Sequence, residues 1–481
     1  MLSILVCHSY FLRFDQKQQQ RAKPYPPLAT LQVAAMLREA GHEVSLFDAM
    51  LAEDYIRFER QIDVLHPQVV LLYEDNYNFL SKMCLGRMRR AGCEMLTIAS
   101  RRGTRVIAAG SDASDAPDAY LSAGADAVLH GEAFGTLFAL IDRLAADLSA
   151  VPVRLADGLP DVSIAGPAGP VRSRAAGRLP EPAAARQPAW DLVDVGKYRR
   201  VWQRAHGYFS LNMAASRGCS FRCNWCAKPI WGNQYLQRPA REIAAEMSLL
   251  RRHYRPDHIW FADDIFGFRA DWVRELAAAL AETGGGIPFT IQLRADLVSA
   301  RMTEALAAAG CREVWIGAES GSQKILDAMN KGTNVAEIHE ARRLLGGAGI
   351  RVGFFLQLGY LGEELDDILA TRRLVDETRP DDVGVSVSYP LPGTKFYEAV
   401  KAQLGAKTHW QESNDLEMMF EGTYRSDFYR QIRGLLHDQA RQPDSAEVRA
   451  RWDALLSREA QYRNAPDSPT TLGFDTAPAF S

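Results

Sequence analysis

No stretch of this 481-residue chain approaches the ~18 consecutive apolar residues of a membrane span, so no integral span is expected. Charge of either sign is also lacking as a cluster. The 56 Lys and Arg stand against 59 Asp and Glu, a formal net charge of −3, and no segment reads as a nucleic-acid surface. The N-terminus, Met1-Leu-Ser-Ile-Leu-Val-Cys-His8, has no basic leader and is too short for the apolar core of a signal peptide. Cysteine is scarce, seven in all, which excludes a disulfide scaffold and fits a reducing cytoplasm. The first apolar strand is followed by His8-Ser-Tyr-Phe-Leu-Arg13 and not by Gly-x-Gly-x-x-Gly, which disfavours a dinucleotide site.

Three of the scarce cysteines are crowded together. Cys219, Cys223 and Cys226 fall in Ser216-Arg-Gly-Cys-Ser-Phe-Arg-Cys-Asn-Trp-Cys-Ala-Lys228. With no fourth cysteine or histidine nearby, three such thiolates can hold three irons of a [4Fe–4S] cube and leave the fourth open to a substrate. The alternative is structural zinc, which normally takes four protein ligands, and the next cysteine along the chain is Cys311. Cys7, Cys84, Cys93 and Cys311 lie in or beside apolar runs and read as buried thiols.

The length implies two to three domains. Residues 1–150 alternate strands (Ser3–Cys7, Glu43–Phe47, Val69–Tyr73, Arg105–Ala109, Ala127–His130) with helical stretches (Leu28–Ala40, Phe79–Ala91, Ala133–Ala145). That alternation predicts an α/β, doubly wound parallel sheet with ligands beyond the strands' carboxyl ends. Residues 151–205 are rich in Pro, Gly, Ala and Arg and read as a linker with a small hairpin across Asp161–Ser173. Residues 206–395 hold six further strand–helix units, two short of a closed barrel, and predict a partial (β/α)6 barrel. Residues 396–463 predict a helical, amphipathic C-terminal region, and residues 464–481 a disordered tail.

The C-x3-C-x2-C spacing, with Trp225 before the last cysteine, resembles the radical S-adenosylmethionine (SAM) enzymes. The resemblance covers about Phe209–Gly393. It implies that Cys219, Cys223 and Cys226 ligate the cluster and that Trp225 shields it, though Trp225 can equally pack within its own loop. Three later stretches match in order. Trp260-Phe-Ala-Asp-Asp-Ile-Phe-Gly267 supplies Asp263 and Asp264 where the family binds the cofactor amine. Gly317-Ala-Glu-Ser-Gly-Ser322 supplies Glu319 for the ribose. Phe354-Phe-Leu-Gln-Leu-Gly359, followed by Gly362-Glu363, supplies Gln357 where adenine is cradled. Arg294, at the end of the third barrel strand, is a fork for the cofactor carboxylate. Each has a plainer reading: Asp263 or Asp264 as a helix cap, Arg294 as a surface partner of Asp296.

The first domain is similar to the cobalamin-binding domain that precedes the barrel in cobalamin-dependent radical SAM enzymes. The matching residues are Lys23-Pro-Tyr-Pro-Pro-Leu-Ala-Thr30, with Pro27 and Thr30, Gly110-Ser-Asp-Ala-Ser-Asp-Ala-Pro117, with Gly110 and Ser111, and His130-Gly-Glu132, with Gly131 and Glu132. The Asp-x-His-x-x-Gly loop that supplies a lower ligand in other cobalamin proteins is absent. Only His8 and His130 fall at strand carboxyl ends, and a cobalt without a protein imidazole is expected.

The resemblance implies a methyltransferase acting on an unactivated carbon of a small-molecule or natural-product substrate. Its cofactors are a [4Fe–4S] cluster, SAM and cobalamin, and its electron donor is a flavodoxin or ferredoxin. Two alternatives stay open. One is radical oxidation or ring closure with the same cofactors, as in the anaerobic cyclase of porphyrin and chlorophyll synthesis. The other is a corrinoid-binding sensor or carrier with a vestigial cluster. Trp410–Asp415, Met418, Met419, Phe420 and Tyr424 read either as a lid or as core packing.

Overall fold

The computed structural model describes residues 1–78, 86–166, 169–173, 187–226, 234–405 and 416–464. The first sheet is built from β1 (Ser3–Cys7), β2 (Glu43–Phe47), β3 (Val69–Tyr73), β4 (Arg105–Ala109) and β5 (Ala127–Leu129), all parallel, with antiparallel β6 (Val162–Gly166) and β7 (Gly169–Arg172) at one edge. Its order is β2-β1-β3-β4-β5-β6-β7. Strands β1 and β3 read as unbroken apolar runs because helices cover both faces of the sheet, and almost every residue in them is buried. The order reverses between β1 and β3, so a crevice opens beyond their carboxyl ends.

The expected hairpin is β6–β7, and it extends the first sheet instead of standing apart within a linker. The rest of that stretch carries a helix, Val195–His206, whose buried Val195, Tyr198 and Trp202 pack it onto the molecule. Proline- and arginine-rich composition concealed this helix.

The second sheet contains β8 (Ser210–Met213), β11 (His258–Phe261), β12 (Phe289–Leu293), β13 (Cys311–Glu319), β14 (Arg351–Leu358) and β15 (Asp382–Val387). All six are parallel, in the order β15-β14-β13-β12-β11-β8, which is the expected partial barrel. A small hairpin of β9 (Ser216–Gly218) and β10 (Tyr235–Gln237) follows the first barrel strand. Across the barrel floor runs a chain of side-chain hydrogen bonds. Tyr25 OH lies 3.1 Å from Ser210 Oγ, which lies 2.9 Å from His258 Nδ1. His258 Nε2 is 2.9 Å from Thr290 Oγ1, Thr290 is 3.2 Å from Glu313 Oε2, and Trp315 Nε1 reaches the same oxygen at 3.3 Å. Higher in the lumen the Trp315 and Phe355 rings stack at 4.8 Å. Gly353 makes room for them, because a Cβ there would lie 2.6 Å from the indole.

The C-terminal region is helical as expected, with Lys395–Val400, Ser426–Arg441 and Ala446–Leu456. Met418, Met419, Phe420 and Tyr424 are buried, in keeping with the packing alternative. The readings placed on Phe79–Leu85 (Cys84 among them), Trp410–Asp415 and residues 465–481 lie outside the described residues. No helix among the described residues is long and apolar enough to cross a membrane.

The carboxyl-end loops of the first sheet meet strand β8 and the helix that precedes it. Trp202 Nε1 donates to Pro24 O at 2.7 Å and Asn212 Nδ2 to Pro26 O at 2.9 Å. Tyr198 OH donates to Asp48 Oδ2 at 2.7 Å.

Candidate active site

The cysteine loop leaves β8 through Ala214 and Ala215 and re-forms as β9 just before Cys219. Asp263, at the end of β11, fixes this turn. Its carboxylate accepts from the Ala215 N–H at 3.0–3.1 Å and from Ser216 Oγ at 2.5 Å. The side chain is only 1% exposed, and burial pushes its carboxyl up to about 7 against the pull of those hydrogen bonds. Asp263 therefore braces the loop from within, and half-buried Asp264 is its more accessible neighbour.

Cys219 is buried, Cys223 and Cys226 are half-buried, and none of the three is in a disulfide. Among the described residues no three His, Cys, Asp or Glu side chains converge as the ligands of one ion would. The loop is tied down through Asn224, whose N–H donates to Met329 O at 3.0 Å and whose Nδ2 donates to Ala328 O at 2.7 Å. Tyr360 OH donates to Asn224 Oδ1 at 2.6 Å.

Arg294 departs from the sequence expectation. Its guanidinium is closed on Asp296 through Nε and Nη2 at 2.9 and 3.0 Å, its Nη2 also reaches Lys331 O at 2.7 Å, and its Nη1 lies 3.7 Å from Cys223 Sγ. It sits 3.7 Å over the Phe221 ring and is 4% exposed. The fork thus grips the cysteine loop, and its Asp296 partner is the one the surface reading named, though the pair is not at the surface. Phe221, midway between Cys219 and Cys223, offers the ring face on which the guanidinium rests.

Glu319 ends β13 in the left-handed region, φ 59°, and pairs with Lys331 Nζ at 2.7 Å. Burial pulls the Lys331 ammonium down, yet Glu319 and then Cys223 more than offset it, so its net shift is upward. The following turn docks on the helix Leu365–Thr378: the Gly321 N–H donates to Thr371 Oγ1 at 2.9 Å and Ser322 Oγ to Asp367 Oδ1 at 2.6 Å. Gln357 on β14 is 5% exposed, and its Oε1 makes no hydrogen bond among the described residues. Trp225 Nε1 is likewise buried without a partner.

Facing these residues are the strand-end loops of the first sheet. Thr30 is engaged, Oγ1 donating to Tyr73 O at 2.7 Å, and Pro27 caps the helix Leu28–Glu39. Gly110 (φ 153°) passes so near Glu74 that a Cβ would lie 2.8 Å away, and it leads into a short helix beginning at half-buried Ser111. The Gly131 N–H donates to Ser114 Oγ at 2.9 Å. Glu132 accepts from Arg217 Nη1 at 3.1 Å, a buried pair that joins the first sheet to the strand leading into the cysteine loop. His8 Nε2 lies 3.1 Å from both Asp48 Oδ1 and the Ala49 N–H, and His130 Nε2 lies 2.7 Å from Ser163 Oγ. Both imidazoles are engaged inside their own domain. Beyond β3, Asn76 is 1% exposed, and neither of its amide atoms makes a hydrogen bond among the described residues.

A family model for the radical SAM superfamily matches residues 213–375. The six-stranded half of the chain is a radical SAM domain. Cys219, Cys223, Cys226, Asp263, Arg294, Glu319 and Gln357 all fall within that match. The chain is 24% identical over 48% of its length to an uncharacterized methyltransferase of Pyrococcus horikoshii. It is 25% identical over 80% of its length to the hopanoid C-3 methylase of Methylococcus capsulatus. It spans 50% of the first relative and 70% of the second. Among solved structures it resembles TsrM, a radical SAM methyltransferase from Kitasatospora setae solved with cobalamin and a [4Fe–4S] cluster bound. The TM-score is 0.65 at 18% identity, over 84% of this chain and 75% of that one. The shared fold includes the sheet that precedes the radical SAM domain.

Several residues at the site escaped the sequence reading. Asn224 and Arg217 lay inside a motif valued only for its cysteines. Lys331 followed a helix in Met329-Asn-Lys-Gly332, where Asn and Gly mark a left-handed turn, but nothing in that pattern shows that its ammonium is buried. Asn76 had no signal beyond its place after a central strand.

Proposed function

We propose that this chain is a cobalamin-dependent radical SAM C-methyltransferase that acts on an unactivated carbon of a small-molecule substrate. One observation carries the reading: the cysteine loop at the carboxyl end of the barrel is held by Arg217–Glu132 directly against the carboxyl-end loops of a second parallel sheet. Two cofactor sites of the required kinds would then lie side by side.

The residues present fit the groups. Cys219, Cys223 and Cys226 would hold the cluster, with Arg294 fixing the Cys223 end. Asp264, Glu319 and Gln357 would meet SAM, and the unsatisfied Gln357 Oε1 and Trp225 Nε1 are of the sort that a bound polar ligand completes. Asn76, with Gly110, Ser111 and Gly131, would meet cobalamin, and His8 and His130, engaged with Asp48 and Ser163, would not be called on to hold it. When bound, the cluster supplies the electron that cleaves SAM to a substrate-activating radical, and cobalamin supplies the methyl group. The protein's part is to hold these groups in register, to exclude water with the aromatic lumen, and to accept an electron from a flavodoxin or ferredoxin. Free thiols and an oxygen-sensitive cluster suit a reducing cytoplasm. We assign the cobalamin-binding unit to residues 1–173, since β6 and β7 belong to its sheet.

Anaerobic reconstitution with iron, sulfide, cobalamin and SAM tests the reading. The wild type is expected to form 5′-deoxyadenosine and to add the mass of one methyl group to its substrate. Cys219→Ala, Cys223→Ala and Cys226→Ala should lose the iron–sulfur absorbance, whereas Cys93→Ser and Cys311→Ser should keep it. A product without added mass would move the reading to oxidation or ring closure. Cobalamin binding without SAM cleavage would move it to a carrier.

A further inference from the structure

Lys331 lies outside the motifs that point to the cofactors, yet two lines of contact cross at it. It sits in the turn Met329–Gly332, where Asn330 (φ 50°) and Gly332 (φ 68°) are left-handed. Its ammonium is buried and 2.7 Å from Glu319 Oε1. Glu319 is itself held at φ 59°, a left-handed conformation that a non-glycine residue keeps only where its surroundings enforce it. Beneath the pair is Gly317, where a Cβ would lie 2.6 Å from Glu319 Oε1 and 2.7 Å from Lys331 Nζ. The lumen at this level is given over to the ion pair.

The second line runs through the backbone. Lys331 O accepts from Arg294 Nη2 at 2.7 Å, and Arg294 covers Phe221 and approaches Cys223 Sγ. The flanking residues reach the same loop: Asn330 Nδ2 donates to Arg222 O at 2.9 Å and Met329 O accepts from the Asn224 N–H at 3.0 Å. The turn therefore meets the cysteine loop at Phe221, Arg222, Cys223 and Asn224, while its one charged side chain meets Glu319.

We propose that Lys331 is a positioning residue that sets the Glu319 carboxylate and the Cys223 end of the cluster loop in a single register, so that SAM is met correctly by iron and by carboxylate at once. The inference rests on the reading above that Glu319 contacts the cofactor ribose. A pair serving only the fold would leave SAM binding untouched once the protein is folded.

The test compares Lys331→Met, Lys331→Arg, Glu319→Gln and the double variant Glu319→Gln/Lys331→Met. Cluster-free protein is followed by thermal melting. Reconstituted protein is followed by iron content, SAM affinity and the electron paramagnetic resonance spectrum of the reduced cluster with and without SAM. Lys331→Met is expected to keep its iron but to bind SAM about tenfold more weakly or worse, the scale of one lost charge-assisted hydrogen bond. It should also blunt the change that SAM makes in the cluster spectrum. In the Glu319→Gln background the same substitution should change affinity by less than about threefold, because the residue it acts through is already altered. Lys331→Arg should recover the spectral change. Wild-type SAM affinity in Lys331→Met, or an equal loss in both backgrounds, overturns the proposal. If Lys331→Met does not fold, restored melting in the double variant supports the coupling, and a double variant that also fails to fold overturns it. A wild type that takes up the cluster yet binds no SAM refutes the functional reading itself, and the inference falls with it.

Discussion

At the scale of the residue, the buried carboxyl of Glu363 shows how ligand chemistry and stability become linked. It is fully buried, its carboxylate accepts the Gly359 N–H at 2.6 Å, and its Oε1 has no partner among the described residues. Burial pushes its carboxyl up to about 8, against that hydrogen bond, with Asp367 adding to the rise. Because the folded value lies above the unfolded one, this group's contribution is fully present at pH below about 4 and is lost as pH rises through about 8. Glu363→Gln removes the titration. We expect the apo variant to gain stability relative to wild type as pH is raised from 5 to 8, measured as the difference in urea midpoints across that range; parallel curves would show that Glu363 is ionised throughout.

Between residues and the whole stands the element, and here the turn Ser320–Ser322 is decisive. A Cβ on Gly321 would lie 2.2 Å from Ala370 O in the helix Leu365–Thr378, and backbone cannot yield as a flexible side chain can. Gly321→Ala should therefore lift the turn from the helix, at a cost of about 1–3 kcal/mol, and carry Glu319 with it. A lower melting temperature together with weaker SAM binding is the expected result; a drop in melting temperature with unchanged SAM binding would separate the turn from the site. Much of this level was legible in the sequence. Ser3–Cys7 and Val69–Tyr73 were read at their observed bounds because buried parallel strands announce themselves as apolar runs between turn residues, and Phe289–Leu293 because its apolar and polar residues alternate. The helix Val195–His206 was not, since its single buried stripe lies among arginines. Of the site, the three cysteines were legible by spacing alone. The commitment of Arg294 to Asp296 and the pairing of Glu319 with Lys331 depend on which strand ends fold together, which no local pattern contains.

On the scale of the whole molecule, neither half is finished without the other. Strand β8 is an edge of the six-stranded sheet, and the segment Pro24–Pro27 of the first half lies along it. Ser210 and Asn212 bond to that segment, whose prolines have no N–H to extend the sheet further. A barrel fragment of residues 206–464 should expose that edge and elute as large aggregates in size-exclusion chromatography, whereas the full chain does not; a monomeric fragment would show that the edge is self-sufficient. The chain of hydrogen bonds across the barrel floor has a further consequence, which is a polarity. Glu313 is an acceptor, so Thr290 must give its hydroxyl hydrogen to it and receive one from His258 Nε2. Burial, aided by Lys23, lowers His258 to about 4, so the ring is neutral and carries a single hydrogen, and Nδ1 is left to accept from Ser210 as Ser210 accepts from Tyr25. Every hydrogen in the row thus points from the first half of the molecule toward Glu313, and one carboxylate fixes the tautomer of a histidine two strands away, an ordering that Glu313→Gln would leave free to reverse and that the nitrogen chemical shifts of His258 would report.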